Sequence, residues 1–207
     1  MKIKAFVSII LMCCFLLMDI IVVAQNFNSG ITAGLTTSQV SGDDLSGFHK
    51  LGIHGGAYVN LRVADSSYLQ MEMLFVQKGS QQGQDLEKGK AYYKMQLNYI
   101  EVPLLYQLKR KRFTYEIGAS FGYLFRSKVS NIYGEYPDGT PESRAFNSTE
   151  ISACAGINYK IYKHFSLGWR FSNSVLPIRA HYSGRTFRWN LGQYNSAMYL
   201  GLRYSFN

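Results

Sequence analysis

Residues 112–125 read RFTYEIGASFGYLF, and this stretch alternates between two kinds of side chain. Every second residue from Phe113 to Phe125 is apolar and mostly aromatic, whereas the residues between them are mostly small or polar and include one glutamate, Glu116. A period of two is the signature of a β-strand with two unlike faces. The aromatic face therefore lies either in the core of a soluble barrel or against lipid on the outside of a membrane barrel.

The same alternation recurs along the chain and predicts eight strands. The seventh segment, for example, sets Phe165, Leu167 and Trp169 against small or polar neighbours. The fourth segment changes phase, which predicts a bulge near Asn98–Ile100. The predicted strands are residues 27–38, 50–61, 68–78, 95–108, 113–126, 147–161, 165–174 and 194–206.

The connections between these segments alternate in length. Three are short, with the sequences RVADSS, KRKR and YKH, and four are long, near 39–49, 79–94, 127–146 and 175–193. Long connections at one end and tight turns at the other are typical of outer-membrane barrels, which have an even number of antiparallel strands. The sequence therefore predicts an all-β protein, an eight-stranded antiparallel up-and-down transmembrane β-barrel.

The composition of the second face predicts where the aromatic face lies. In a soluble barrel, the face opposite the core meets water and carries many Lys and Glu residues. Here that face carries Gly, Ser, Thr, Asn and single charges, which suit a narrow lumen, whereas an aromatic face suits lipid. Charged residues make up only 17% of the chain, below the roughly 25% of typical soluble domains. We therefore expect the aromatic face on the outside.

The end of the chain carries a further outer-membrane feature. The last predicted strand alternates apolar residues up to one position before the C-terminus. This pattern resembles the C-terminal signal by which the barrel-assembly machinery recognises outer-membrane proteins, so we expect that machinery as a partner. The residues of the predicted assembly signal are Leu200, Leu202, Tyr204 and Phe206.

The first 24 residues differ from the rest of the chain. Lys2 and Lys4 precede the apolar run AFVSIILMCCFLLM, and Ala24 offers a small residue at a cleavage point, as in a Sec signal peptide. The alternative is an uncleaved anchor of about 20 residues, which Asp19 disfavours. We expect a signal peptide at 1–24 and one barrel domain at 25–207, located in the outer membrane of a Gram-negative bacterium.

Cleavage would change the charge and the cysteine content of the chain. Removing Lys2, Lys4 and Asp19 from 22 basic and 13 acidic residues leaves a net charge of +8. A basic exported protein can meet anionic lipid head groups or lipopolysaccharide phosphates, and export argues against nucleic acid as a partner. Cys154 would be the single remaining cysteine, which excludes an intrachain disulfide and a thiolate metal site.

One segment of the fourth strand resembles a known family. NYIEVPLLYQLK at 98–109 is similar to the Y-h-E-h-P-h-h segment, where h is hydrophobic, of the PorT-like outer-membrane β-barrel proteins of Bacteroidetes. The fragments GITAGLTTS, QMEMLFVQKG and EIGASFGYLF agree with this resemblance. The resemblance implies an eight-stranded outer-membrane barrel. PorT itself is tied to type IX secretion and gliding, so a component of a secretion or transport system is an alternative function.

Several charged residues are predicted to face the lumen. Charges inside a narrow barrel are costly unless they are paired. The last two predicted strands contain arginines but no Asp or Glu, so their partners must reach across the lumen from strands three to five. We hypothesise a buried charge cluster that plugs the barrel; the alternative is that some of these residues lie hydrated near the rims. The cluster residues are Glu72, Glu101, Glu116, Arg170 and Arg203.

Two basic segments lie outside the predicted lumen. Lys109–Arg112 occupies a short turn, where it either contacts inner-leaflet phosphates or a periplasmic partner, or is simply solvated. The last long loop interleaves basic and aromatic residues, which either hold phosphosugars such as lipid A head groups or pack over the barrel mouth. Its candidate lipopolysaccharide-contacting residues are Arg179, Arg185, Arg188 and Trp189.

No motif in the sequence predicts a metal, a cofactor or catalysis. The histidines form no cluster with metal-ligand spacing, and no Gly-rich phosphate-binding motif is present. His164-x-Ser166 and His181-x-Ser183 superficially suit a nucleophile with its base, but no later acid is available to orient the histidine. The sequence predicts a non-enzymatic barrel with extended outer loops and a structural or binding role; a lipid A-modifying barrel enzyme is the further alternative.

Overall fold

The computed structural model describes residues 27–43, 45, 47–84, 91–136, 145–180 and 192–206. These residues form eight long strands and two strands of two residues each. In the described part of the chain, no helix is long and apolar enough to cross a membrane. The strands are β1 (Phe27–Ser41), β2 (Lys50–Ala64), β3 (Ser67–Gln82), β4 (Tyr93–Arg110), β5 (Phe113–Asn131), β6 (Gly134–Glu135), β7 (Thr149–Lys160), β8 (Phe165–Ser174), β9 (Arg179–Ala180) and β10 (Gly192–Ser205).

The eight long strands close into an antiparallel barrel. Each pairs with its neighbour in chain order, and β1 pairs with β10 from Gly30 opposite Ser205 to Ser41 opposite Tyr194. Closure gives every long strand two partners, so the barrel has no free edge. The short strands β6 and β9 extend β5 and β10 beyond the ring. The predicted fold, an eight-stranded antiparallel barrel, is confirmed.

The two ends of the barrel differ in their connections. At one end, which we call the short-turn end, strands β2–β3, β4–β5 and β7–β8 are joined by two to four residues. The opposite end, the long-loop end, carries the connections between the remaining neighbours. The β4–β5 turn, Lys111–Arg112, is one of two turns of two residues and uses a left-handed backbone at Lys111, with φ of 55°.

The aromatic face lies on the outside, as predicted. In β5, Phe113, Ile117 and Phe121 are 41%, 64% and 49% exposed, whereas Glu116 and Ser120 are buried. The other long strands repeat this arrangement, with aliphatic and aromatic side chains outside and Ser, Thr, Asn, Gln and charged side chains inside. An apolar outer band around a polar interior is the arrangement that a lipid environment requires.

The predicted bulge of the fourth strand is in part wrong. The register between β4 and β5 does shift at Asn98 and Tyr99, but their partners are Arg126 and Leu124, so the extra residue is Phe125 of β5. Strand β4 keeps its alternation, and Leu97 and Tyr99 point inward, where both are fully buried. The prediction failed because it assumed that every apolar residue of this strand faces lipid.

An apolar core accounts for this difference at the long-loop end. Residues from β1, β4 and β5 and from the segment before β9 meet inside the barrel and are buried. Aromatic side chains that include Tyr93, Tyr136 and Phe146 pack against them. The interior is therefore apolar near the long loops and polar below them. The core residues are Val40, Met95, Leu97, Tyr99, Val129 and Ile178.

Candidate functional site

Two arginines and two glutamates meet across the lumen in what we call the arginine cluster: Glu72, Glu116, Arg170 and Arg203. Arg170 donates to both carboxylates, with Nε 2.6 Å from Glu116 Oε1 and Nη1 2.7 Å from Glu72 Oε2. Arg203 does the same, with Nη2 2.9 Å from Glu72 Oε1 and Nη1 3.3 Å from Glu116 Oε2. All four side chains are buried. The cluster ties β8 and β10 to β3 and β5 through the interior.

Neutral amides complete the arginine cluster. Gln107 and Asn158 donate to Glu116 Oε2 at 3.0 and 2.8 Å, and Gln70 donates to Glu72. Asn158 also accepts a hydrogen bond from Arg203 at 3.0 Å. Because buried charges are tolerated only when paired and hydrogen-bonded, these amides satisfy carboxylate lone pairs that the arginines leave open. The two positive and two negative charges balance.

A close approach of the backbone makes room for this cluster. A Cβ atom added at Gly156 of β7 would lie 2.7 Å from the Trp169 carbonyl oxygen and 2.8 Å from Glu116 Oε1. Real Cβ atoms do not approach other atoms so closely, so glycine at this position lets Glu116 reach Arg170. The sequence thus supplies both the charges and the space that they occupy.

Nearer the long-loop end lies a second group, which we call the lysine cluster: Lys78, Glu101 and Glu150. Lys78 Nζ lies 2.5 Å from Glu101 and 2.7 Å from Glu150, and all three side chains are almost fully buried. The lysine also lies over the Tyr99 ring, 5.4 Å from its centroid. One ammonium group thus faces two carboxylates, which leaves one excess negative charge.

Neutral donors offset this excess in the lysine cluster. The Tyr199 hydroxyl donates to Glu101 Oε2 at 3.2 Å, and Asn195 donates to Glu150 Oε2 at 2.6 Å. The Ser152 hydroxyl donates to Glu150 Oε1 at 2.7 Å. Glu150 therefore has more hydrogen-bond donors than Glu101, and the two carboxylates are not equivalent.

Four of the five residues predicted to form one lumen cluster, Glu72, Glu116, Arg170 and Arg203, lie together, but Glu101 does not join them. Glu101 lies higher on β4 and pairs with Lys78, a partner that the sequence reasoning missed together with Glu150. The positions of both missed residues in the alternating pattern predict that they face the lumen. Lys78 has the same phase as Glu72 in β3, and Glu150 has the same phase as Ser152 in β7.

The residues of the predicted assembly signal lie along β10 and just beyond it. Leu200, Leu202 and Phe206 are about half exposed on the lipid face. The Tyr204 ring packs against Phe165 at 5.0 Å between centroids and against Phe206 at 5.8 Å. Tyr204, Phe165 and Phe206 form an aromatic patch at the short-turn end. The role of the four predicted residues in assembly stays a prediction.

The predicted lipopolysaccharide-contacting loop is described only at Arg179, because Arg185, Arg188 and Trp189 lie outside the described residues. Arg179 is buried; it donates to Gln193 at 2.6 Å and stacks on the Phe146 ring at 4.4 Å. Burial holds the pKa of the nearby Asp43 carboxyl above its ordinary value, although hydrogen bonds and the Arg179 charge act in the opposite direction. Arg179 thus helps to fix the base of the loop.

Of the histidine–serine pairs weighed for catalysis, the structure describes His164 and Ser166. His164 Nδ1 lies 3.0 Å from the backbone oxygen of Ser205, a contact that ties the β7–β8 turn to β10. His181 and Ser183 lie outside the described residues. Among the described residues, no three His, Cys, Asp or Glu side chains are arranged to hold a metal ion.

Comparison with known proteins gives the family and the fold. The Yersinia pestis attachment invasion locus protein Ail is 15% identical with a TM-score of 0.50, and the match covers 86% of this chain and 98% of Ail. Neisserial surface protein A, NspA, is 15% identical with a TM-score of 0.50, and the match covers 86% of this chain and 97% of NspA.

A second Ail structure, in complex with the heparin analogue sucrose octasulfate, is 14% identical with a TM-score of 0.50 and covers 87% of this chain and 99% of that one. No curated protein matches the chain significantly. The family model described as outer membrane protein beta-barrel domain matches residues 23–178. The chain therefore belongs to this family and is a small integral outer-membrane β-barrel protein.

Proposed function

We propose that the protein is a closed, non-conducting barrel that anchors its long loops at the cell surface and binds a partner through them. The single observation that carries this proposal is the filling of the lumen by successive layers. From the short-turn end upward, these are the arginine cluster, the lysine cluster and the apolar core. Each layer joins strands from opposite sides of the barrel.

The charge layers argue against diffusion through the barrel. An eight-stranded barrel is only wide enough for side chains to fill it, and here the side chains are long and mutually paired. Arg170 alone spans from β8 to Glu72 on β3 and Glu116 on β5. A solute would have to separate these buried ion pairs. Each charge left without a partner costs about 3–5 kcal/mol.

The long-loop end supports a binding role. In outer-membrane barrels the longer loops are extracellular and the tight turns periplasmic. The apolar core and the pairing of Arg179 with Gln193 give the loops of this protein a fixed base. A preorganised base lowers the entropy cost of binding through loops. Arg185, Arg188 and Trp189, which lie outside the described residues, are the proposed contacts to lipopolysaccharide phosphates.

A component of a secretion system is the second candidate, and it rests on the resemblance of residues 98–109 to the PorT-like segment. The three polar or turn-forming residues of the PorT-like segment, Tyr99, Glu101 and Pro103, all point into the barrel and are buried. The segment that carries the resemblance is therefore part of the plug and would be needed in any relative that closes its lumen in the same way. Crosslinking in native membranes followed by identification of periplasmic partners tests this candidate.

Planar-bilayer conductance tests the proposed closure. The protein is first refolded in detergent, and its gel mobility is compared with and without boiling. Faster migration of the unboiled sample shows that the barrel is closed, and only such protein is used. We expect no conductance steps from the wild type, measured beside an open porin in the same bilayer. Reproducible steps from the wild type would contradict the proposal and favour transport.

A further inference from the structure

A cavity of about 150 Å³ opens at the short-turn end of the lumen, directly below the arginine cluster. Its wall carries basic side chains from several strands and turns, and its remaining lining is made of Asn, Gln, Ser, Thr and Tyr. Among the described residues that line it, none is Asp or Glu. The basic residues and histidine of the lining are Lys109, Arg112, Lys160, Lys163, His164 and Arg203.

The charge around this cavity is strongly one-sided. The described residues of the three short turns and the strand ends beside them contribute Arg62, Lys109–Arg112, Lys160 and Lys163, against one acid, Asp65. Asp65 lies 3.1 Å from Arg62 and does not line the cavity. The six other cations therefore have no carboxylate among the described residues of this end. Four of them, Lys109, Arg112, Lys160 and Lys163, line the cavity, where their fields add in a concave space.

The turn at Lys109–Arg112 divides its four cations between two environments. Lys109 and Arg112 line the cavity, whereas Arg110 and Lys111 line only a groove on the outer surface. The strand alternation explains the position of Lys109, because it follows Gln107, which points inward and belongs to the wall of the same cavity. Lys109 and Arg112 also border that groove, and Arg112 donates to the Tyr159 hydroxyl at 3.4 Å, so two cations of the turn reach the cavity and the groove and two reach only the groove.

The floor of the cavity is closed and already neutralised. Arg203 is held by Glu72, Glu116 and Asn158, and its guanidinium lies over the Tyr58 ring at 4.6 Å. Gln70 and Gln107 bridge the floor with a hydrogen bond of 3.0 Å. A ligand entering from the periplasm therefore meets side-chain hydroxyl and amide groups at the bottom and cations around the rim, and it has no path onward.

We propose that this cavity is a binding site for a multiply charged oxyanion, a phosphate-bearing ligand reached from the periplasm. Several cations around a single small space suit a group that carries more than one negative charge, and Arg112 offers the donor fork that matches phosphate oxygens. The closed floor makes it a site for binding and not for passage. The phosphate belongs either to a soluble molecule or to a phospholipid head group.

Isothermal titration of inorganic pyrophosphate into refolded protein tests the site, in a non-ionic detergent at constant ionic strength. The test variant is Lys109→Gln with Arg112→Gln, and the matched control is Arg110→Gln with Lys111→Gln. Both variants remove the same charge from the same turn, so general electrostatic attraction falls equally in both. Gel mobility without boiling checks that each variant is folded.

We expect saturable binding to the wild type, weakened about tenfold or more in the test variant and less than about twofold in the control, because each lost charge-assisted contact costs on the order of 1.4 kcal/mol. Titration with short-chain phosphatidic acid, whose phosphomonoester head group can carry two negative charges, then separates the sources: lipid binding lost in the test variant assigns a head group, and pyrophosphate binding alone assigns a soluble phosphate. No saturable pyrophosphate binding, or equal loss in both variants, overturns the proposal.

Discussion

The arginine cluster and the lysine cluster neutralise buried carboxylates with different numbers and types of cation. Both bury carboxylates in the middle of a narrow barrel. In the arginine cluster, two forked guanidinium groups bridge two carboxylates and the charges balance. In the lysine cluster, one compact ammonium group serves two carboxylates, and Tyr199, Asn195 and Ser152 supply the remaining hydrogen bonds.

This difference shows how each cluster should respond to loss of charge. Removing any one charge from the arginine cluster leaves an uncompensated charge in a buried place, which is strongly destabilising. Removing one negative charge from the lysine cluster leaves a balanced pair. The arginine cluster should therefore be the more sensitive of the two to the loss of one carboxylate charge, although the two clusters are similarly buried.

The largest effect is expected for Arg170→Ala. The change removes three hydrogen bonds and leaves Glu72 and Glu116 with only Arg203 as a cation, so we expect a loss of about 3–5 kcal/mol in the free energy of unfolding. Urea unfolding of refolded barrel measures this loss. The matched control is Arg62→Ala, which breaks an exposed ion pair and should have almost no effect. Equal losses in both variants would contradict a buried cluster.

Neutralising one glutamate in each cluster sharpens the comparison. Glu116→Gln should cost roughly 2–3 kcal/mol, because two arginines then share one carboxylate. Glu101→Gln should cost less than about 1 kcal/mol, because Lys78 keeps Glu150 and the excess charge disappears. The same unfolding measurement ranks the two variants. If Glu101→Gln costs as much as Glu116→Gln, charge balance does not separate the clusters.

A single methyl group tests the space around the arginine cluster. Gly156→Ala should cost about 1–3 kcal/mol, because the new Cβ meets Glu116 and the Trp169 carbonyl. Gly55→Ala is the control, since the nearest atom to a Cβ there is 3.5 Å away, an ordinary contact, and it should change stability by less than about 0.5 kcal/mol. If Gly156→Ala and Gly55→Ala have the same unfolding midpoint, the cluster tolerates displacement of Glu116.

The smallest effect on stability is expected for deletion of Phe206 and Asn207. Phe206 is half exposed beyond the end of β10, so its loss should change unfolding in detergent only slightly. As part of the predicted assembly signal, the same deletion should clearly lower the amount of protein in the outer membrane of cells. Quantitative blotting of membrane fractions beside in vitro refolding separates these effects. If the protein without Phe206 and Asn207 reaches the outer membrane at the normal level, the predicted assembly signal is wrong.

The fold could be predicted because period-two alternation reports directly which face each residue takes. The same rule places Glu72, Glu116, Arg170 and Arg203 inside the barrel from the sequence alone. It also applies to Lys78, which has the phase of Glu72, and to Glu150, which has the phase of Ser152, but both lie close to the ends of the predicted strands. Their identification depended on where the strands end, which is the least certain feature of a sequence.

The pairing between inward residues could not be predicted from the sequence. Alternation gives the face of a residue but not its height along the axis, and height decides that Glu101 meets Lys78 and not Arg170. Leu97 and Tyr99 show a second limit, because an apolar residue can face lipid or an internal core with the same spacing. The bulge at Phe125 is a third limit. It shifts the register between β4 and β5, but no glycine, proline or other turn-forming residue at this position marks it in the sequence.

A pair of double-mutant cycles tests most directly whether buried ion pairs join the barrel across its lumen in two separate clusters. One cycle combines Arg170→Ala with Glu116→Ala, and the other combines Arg170→Ala with Glu101→Ala, all measured by urea unfolding of refolded barrel. We expect the first double variant to be little less stable than either single variant, with a coupling of at least about 1.5 kcal/mol, and the second pair to be additive within about 0.5 kcal/mol. Small, additive losses in the first cycle, or equal coupling in both, would contradict the two clusters.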